Sequence, residues 1–262
     1  CFKIMAKTNE IIKDSVIVCT PFGNDTGHVK YFMSCMKLNE ECRKQDIKIN
    51  FVFKMGSSLI THGRNDIVND FLVNSNAENM IFIDSDINFM DSTQYIIDWV
   101  KNKEYFVSGT YPTKQFNYDK MQVLLDKGLK NFEDIEKAGL DYTCSVKDSS
   151  KIKVKNNRVL LDRVGTGFMF ISRKLLNDMI ENADTFPDFY NFKKYNLKDH
   201  KNKIGYTFFD TMLLENNQIG EDYAFCERLK YMNVDIEVEP HIKLNHIGSH
   251  EFKGELVKKF NL

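Results

Sequence analysis

Asp84-Ser85-Asp86 follows directly on the apolar run 80–83 and is where the chain's chemistry first gathers. Two acids one residue apart at the end of a buried strand repel each other unless a cation neutralises them. Carboxylate oxygens suit hard divalent ions, so Mg²⁺ or Mn²⁺ is the matching partner. The plain alternative is an acidic turn. A second group, Gly220-Glu221-Asp222, opens a helical stretch carrying Phe225 and Leu229. Acids are favoured at a helix N-terminus for capping and dipole reasons alone. Either carboxylate could also act as a general base, taking a proton from an attacking hydroxyl. Third come His241, His246 and His250, three of the six histidines. No Cys lies beside them, and a strand followed by a loop would not gather all three, which argues against zinc. A single neutral His completing an oxygen-rich metal site fits better, and His246, following Ile242 and Leu244, is the best placed. Gly165-Thr166-Gly167 interrupts an apolar run, where glycine marks either a bulge or a close approach of backbone to ligand. Arg64-Asn65 opens a helical pattern and could meet a phosphate or a base, with a solvated cap as the simpler reading.

Positioning these groups requires strands that end where the acids stand. Residues 15–20 and 80–83 are short apolar runs, and the first ends in the turn signal Pro21-Phe22-Gly23-Asn24. Residues 47–54 alternate Ile47, Ile49, Phe51 and Phe53 on one face, a strand pattern; 105–108 is a further strand, closed by Gly109. Between them, 28–44 carries Val29, Phe32, Met33 and Met36 at helical spacing, and 65–73 repeats at Ile67, Val68, Phe71 and Leu72. Asp91 or Ser92 is placed to cap a helix with Ile96, Ile97 and Val100 inward. Strands separated by helices of this length imply an α/β fold: a mostly parallel sheet with helices on its faces. In such sheets ligands bind beyond the carboxyl ends of the strands.

The second half is less regular. Residues 114–158 are polar, with a Lys/Asp/Ser/Asn-rich middle at 147–157, and read as a hairpin or a loop excursion. Residues 159–171 read as a strand around two glycines, 174–180 as a short helix, 221–232 as a helix and 234–239 as a strand. Residues 184–205 are aromatic and basic with no clear period. No repeat and no Gly/Ser/Pro linker divides the chain, so 1–262 is read as one domain with halves 14–114 and 115–262.

Composition excludes more than it assigns. With 36 basic and 37 acidic residues the formal net charge is −1, which argues against a sequence-independent nucleic-acid binder. A chain of 262 residues buries enough surface to fold without disulfides. The six cysteines form no CxxC pair and mostly sit in or beside apolar runs, as buried free thiols do. A reducing, cytoplasmic location is therefore expected. No stretch reaches the roughly 20 apolar residues of a membrane span. The opening residues do not read as a secretory leader, and Cys1 in place of an initiator Met points to a trimmed chain, with room for an upstream segment. Heavy use of Lys, Asn, Ile and Phe hints at an AT-rich, viral genome, which would make the location host cytoplasm. Oligomeric state leaves no mark.

Taken in order, these pieces resemble the GT-A fold nucleotide-sugar glycosyltransferases of the broad family-2-like group. The resemblance is carried by Thr20-Pro21-Phe22, by 58–65 (Ser-Leu-Ile-Thr-His-Gly-Arg-Asn), by 82–89 around the acid pair, and by 109–114 (Gly-Thr-Tyr-Pro-Thr-Lys). It continues with Gly165-Thr166-Gly167-Phe168-Met169, 220–226 and His246-Ile247-Gly248, spanning about residues 15–254. It implies a single GT-A, Rossmann-like domain with a smaller acceptor-side sheet. It further implies that 14–114 binds the nucleotide sugar and that 115–262 holds acceptor and catalytic groups. Asp84-Ser85-Asp86 would be the family's DxD motif, with Asp86 on the metal and Asp84 on the ribose or on the metal through water. His246 resembles the late metal ligand, and Thr20, Pro21 and Phe22 would line the base and ribose site. Arg64 would lie near the base or diphosphate and Lys114 near the donor. Gly167 belongs to the segment resembling the wall beside the transferred sugar. Glu221-Asp222 looks like the acidic pair whose second member is the base of inverting enzymes. Segments 114–158 and 184–205 match no family pattern.

The resulting expectation is Mn²⁺- or Mg²⁺-dependent transfer of a hexose or deoxyhexose from a nucleotide sugar, UDP-linked by preference, to a glycan or other hydroxyl acceptor. A retaining enzyme of the same fold is the nearest alternative. An apolar strand ending in DxD also opens the haloacid-dehalogenase phosphatases, but there the motif ends the first strand, whereas here it ends the third and Asn88 stands where those enzymes carry Thr or Val. A silent nucleotide-sugar-binding module is the third reading.

Overall fold

Successive side chains of a strand point to opposite faces, and the run Val16-Ile17-Val18-Cys19 uses both. Val16 and Val18 enter one hydrophobic core, Ile17 and Cys19 another. The same division splits Met80 and Phe82 from Ile81 and Ile83. A strand apolar on both faces must lie between two helical layers. The computed structural model, which describes residues 10–23, 26–56, 59–146, 152–198 and 203–257, has this arrangement.

Its central sheet contains β1 (Ile12–Pro21), β2 (Lys48–Lys54), β3 (Ala77–Ile83), β4 (Phe106–Ser108), β5 (Lys153–Lys155), β6 (Arg158–Leu161), β7 (Phe168–Ser172) and β8 (Ile236–Val238). The spatial order is β2-β1-β3-β7-β4-β8-β6-β5. Strands β2, β1 and β3 are mutually parallel, as are β4 and β8, while β7 runs against both β3 and β4. This is a Rossmann-like α/β fold, mostly parallel in strand direction. Helices α1 (Val29–Lys44) and α3 (Thr93–Lys101) cover one face, packing Tyr31, Leu38, Ile97 and Trp99. On the other face lie α2 (Ile60–Asn74), α6 (Arg173–Glu181) and α7 (Glu221–Tyr231), with α4 (Tyr118–Asp126) and α5 (Phe132–Gly139) forming an excursion between β4 and β5.

Several elements depart from the sequence reading for physical reasons. Helix α2 starts at Ile60, five residues before the expected 65, because its buried face includes Gly63, Arg64, Asn65 and Asn69, which hide the apolar period. The expected single strand 159–171 is broken into β6, a two-residue strand Arg163–Val164, and β7. The glycine turn at 165–167 lets its two long parts join different places in one sheet. The expected loop 114–158 contains α4 and α5, each started by an Asn cap: Asn117 accepts from the Lys120 N–H, and Asn131 from those of Glu133 and Asp134. Helix α4 has no buried residue, so periodicity could not reveal it. Ser92 precedes α3 but makes no cap bond there; its hydroxyl pairs with the Lys243 backbone instead. Segment 184–205 contains two 3₁₀ turns and the strand Lys194–Asn196, which pairs with Ile204–Tyr206. Asn24, Ser58, residues 147–151 of the polar stretch and Cys1 lie outside the described residues. Cys19, Cys35, Cys42 and Cys226 are buried free thiols, and Cys144 is half-buried. No helix among the described residues is long and apolar enough to cross a membrane.

Candidate functional site

The chain leaves β1 for the sheet edge at β2 and returns across β1 to β3, so the crevice beyond the carboxyl ends of β1 and β3 is a topological switch point. Asp84-Ser85-Asp86 stands there, immediately after β3. A three-stranded antiparallel sheet, Glu251–Lys253, Asn245–Ile247 and Ile87–Asn88, carries the late histidine to the same place, pairing His246 with Ile87. The Ile247 N–H donates to the Asp86 carbonyl at 2.8 Å and locks this register.

Each carboxylate of the pair meets a different cation. Arg64, buried inside α2, donates from Nη2 to Asp84 Oδ1 at 3.1 Å, and its Nε lies 3.5 Å from Glu221 Oε1. The guanidinium thereby joins the end of β3 to the start of α7. Its Nε and Nη1 have no hydrogen-bond partner, although the group lies 5.1 Å from the Phe82 ring centroid. Burial opposes its charge, but Asp84 and Glu221 outweigh that and hold the Arg64 pKa above its usual value. Lys114 Nζ donates to Asp86 Oδ2 at 2.6 Å, and His246 Nε2 lies 3.5 Å from Asp86 Oδ1. Burial pushes the Asp86 carboxyl up, yet His246 and Lys114 win and hold it at about 2.

His246 is fixed from behind. Its Nδ1 meets the Pro112 carbonyl at 2.8 Å, an acceptor that makes Nδ1 the N–H, so Nε2 is the ring atom turned toward Asp86. Tyr111 packs its ring edge-on against His246, 5.1 Å between centroids. The Gly167 N–H donates to Tyr111 Oη at 2.9 Å, and the Gly167 carbonyl accepts the Asp84 N–H at 3.0 Å. A Cβ at Gly167 would sit 2.3 Å from Tyr111 Oη and 2.7 Å from Asp84 Oδ2, so only glycine fits. Burial and the Asp84 charge push the Tyr111 hydroxyl pKa up, which keeps it neutral.

Asp222 sits in the first turn of α7 and accepts its neighbour Tyr223's N–H at Oδ1, 2.7 Å away. Burial, and then the Glu221 charge, push its pKa above the ordinary carboxylate value, against the pull of Arg64. A carboxylate raised in this way is a better proton acceptor than a solvated one.

Asp84, Asp86, Arg64, Lys114, Gly167, His246 and Glu221 are thus linked through shared partners, and Asp222 follows Glu221 in the first turn of α7. Ser85 lies between the two acids, and its carbonyl accepts the N–H of His28, a residue outside this set, at 3.0 Å. The three residues after β1 behave differently. Thr20 is fully buried with its hydroxyl on Tyr31, and the Phe22 ring is enclosed by Tyr31, Phe32 and Phe53. With Pro21 also buried, the side chains of Thr20 and Phe22 are spent on packing and expose little of themselves. Arg64-Asn65 is no solvated cap: Asn65 Oδ1 accepts the Phe209 N–H deep in the structure. His250 pairs with Glu136 at 3.1 Å, and His241 is exposed, so His246 alone of the three reaches the acids. The sequence places Tyr111 and Pro112 in the 109–114 pattern but assigns neither of them a role at the site. An aromatic-proline pair just beyond a strand end, two residues before Lys114, was the available signal.

Among the described residues no three carboxylate, imidazole or thiol groups form a closed metal cage. Asp86 and His246 nevertheless fit a divalent ion as two members of an oxygen-rich set, because they turn a carboxylate and an imidazole Nε2 toward one point where Lys114 supplies positive charge. Asp84 is turned to Arg64 instead.

Fold and site together define an α/β protein with a polar, acid-lined crevice at the switch point of a Rossmann-like sheet. No family model matches the chain, and no curated protein matches it. Among solved structures, the crystal structure of A197 from STIV is similar over 89% of this chain and 86% of that one, at 15% identity and a TM-score of 0.47.

Proposed function

We propose that the protein is a metal-dependent glycosyltransferase that moves a sugar from a nucleotide sugar, UDP-linked by preference, to an acceptor hydroxyl with inversion. The observation that carries this reading is the meeting of Asp86, His246 and Lys114 on one side of the acid pair with Arg64 and Glu221 on the other. Asp86 and His246 would hold Mn²⁺ or Mg²⁺, whose contribution when bound is to neutralise charge on the diphosphate leaving group. Lys114 carries positive charge toward the phosphates, while Arg64 holds Asp84 and Glu221 in place beside them. Gly167, held by Tyr111, keeps the wall beside the transferred sugar free of side chain. Asp222 takes the acceptor's proton as its oxygen bonds to the anomeric carbon, and the bond to the diphosphate breaks with both electrons leaving on phosphate. A transition state with oxocarbenium character follows from this chemistry. The free, mostly buried cysteines favour a reducing, cytoplasmic setting for this reaction.

Incubating the protein with a panel of nucleotide sugars and Mn²⁺, and following release of nucleoside diphosphate, tests the assignment. Asp222→Asn is expected to abolish release while donor binding survives. Full activity in that variant would remove Asp222 as base and favour a retaining route. Free phosphate from phosphoesters would indicate a phosphatase, and binding without turnover a silent module.

A further inference from the structure

A cleft of about 540 Å³ lies on the outer side of α2, closed by the antiparallel pair Lys194–Asn196 and Ile204–Tyr206. It lies outside the acid-pair network, and none of the groups assigned above lines it. Asn65, 4% exposed, lines it with an amide whose Oδ1 is spent on the Phe209 N–H at 2.8 Å and whose Nδ2 has no partner. Tyr195 Oη accepts from Asn69 Nδ2 at 3.0 Å, which leaves its own hydroxyl proton to donate. Asp210 Oδ2 accepts from Asn191 Nδ2 at 3.2 Å, leaving Oδ1 as a free acceptor. Beside these groups Ile67 and Leu197 supply apolar wall.

We propose that this cleft is a binding subsite for a neutral saccharide. A sugar hydroxyl both donates and accepts, so it can satisfy the Asn65 and Tyr195 donors and the Asp210 acceptor together. The C–H faces of a pyranose fit the Leu197 and Tyr195 side, and the volume lies within the range of small-ligand sites. Charge disfavours a phosphorylated ligand: Asp66, Asp70 and Asp210 outnumber Lys54 and Lys198 in the lining, and Lys54 is already paired with Asp66 at 3.0 Å. The cleft also touches the candidate site mechanically. Asn65 follows Arg64 on α2, and Phe209, held by Asn65, stacks on Phe225 of α7 at 4.4 Å. A saccharide here therefore abuts α2, and Asn65 and Phe209 connect that helix to α7, which carries Glu221 and Asp222. Calling it the acceptor rests on the transferase reading, whereas its binding does not.

The test is calorimetric titration of the whole chain, without metal or nucleotide, with maltotriose, cellotriose and tri-N-acetylchitotriose. At least one should bind with a dissociation constant of about 1 mM or tighter, and Asp210→Asn and Leu197→Trp should each weaken it about tenfold. Both variants should bind UDP with Mn²⁺ as the parent does. Asp210→Asn keeps the contact to Asn191, so it reports on the subsite even if Leu197→Trp fails to fold. No binding by any of the three, equal binding in both variants, or displacement by uridine overturns the proposal. If saccharide binding fails while UDP–Mn²⁺ binding persists, the subsite falls alone. If the reverse holds, the transferase reading falls and the subsite stands.

Discussion

Asp84 and Asp86 are equally open to solvent, with side chains 29% and 27% exposed, yet their cationic partners are not alike. Arg64, on Asp84, is 4% exposed and built into α2; Lys114, on Asp86, is 38% exposed at the end of a flexible stem. An arginine fixed between two acids is part of the fold. A lysine at the surface can leave its acid when something better arrives. The first pairing thus positions elements, and the second is free to respond to a ligand.

Arg64→Met breaks the comparison most severely. It leaves Asp84 and Glu221 without the group that reconciles them, and losing one member of a buried ion cluster costs roughly 3–5 kcal/mol. Urea denaturation should show that loss, whereas Lys114→Met should change stability by less than about 1 kcal/mol, as for an exposed pair. Equal losses would erase the distinction between the two partners.

Asp86→Ala should do the opposite, leaving the folded state close to the parent while weakening Mn²⁺-dependent UDP binding by at least about 100-fold. Losing a group that only orients a metal ligand already costs about 10- to 100-fold, so removing the ligand itself should reach at least the top of that range. Intact metal-dependent binding and transfer in this variant would end the metal-dependent reading.

Glu221→Gln sharpens the buried side. Asp222 has a raised pKa, so its basic form is present at high pH and is lost as pH falls through that value. Removing the Glu221 charge takes away one of the causes of the rise. The acid limb of the rate profile should therefore move to lower pH, and a limb that stays in place means Asp222 is not the titrating base.

What the sequence could show follows the same division. Strands apolar on both faces declare themselves, so β1, β3 and the acids after β3 were legible, as was α7 with Glu221-Asp222 at its start. Buried polar residues conceal themselves. Arg64 read as a possible cap because nothing local says that a basic residue in α2 will be covered by β3 and α7. The two-residue strand Ile87–Asn88, which brings His246 to Asp86, is too short to leave a period. Tyr111 acts through contacts with Gly167 and His246, 56 and 135 positions away in the chain, and such contacts exist only in the fold.

The smallest expected effect is the most informative about Lys114. Its ammonium on Asp86 occupies the charge that a divalent ion would supply, so the ion must displace it. Lys114→Met removes that competitor, and Mn²⁺ affinity measured without nucleotide should rise about two- to fivefold, the equivalent of an exposed ion pair. With UDP present the sign should reverse, since the displaced ammonium then has phosphate to bind and the methionine has nothing to offer it. Coupling between metal and nucleotide, the ratio of Mn²⁺ affinities with and without UDP, should accordingly fall in the variant. A coupling unchanged from the parent would mean that Lys114 stays on Asp86 throughout, and that the open side of the site is as fixed as the buried one.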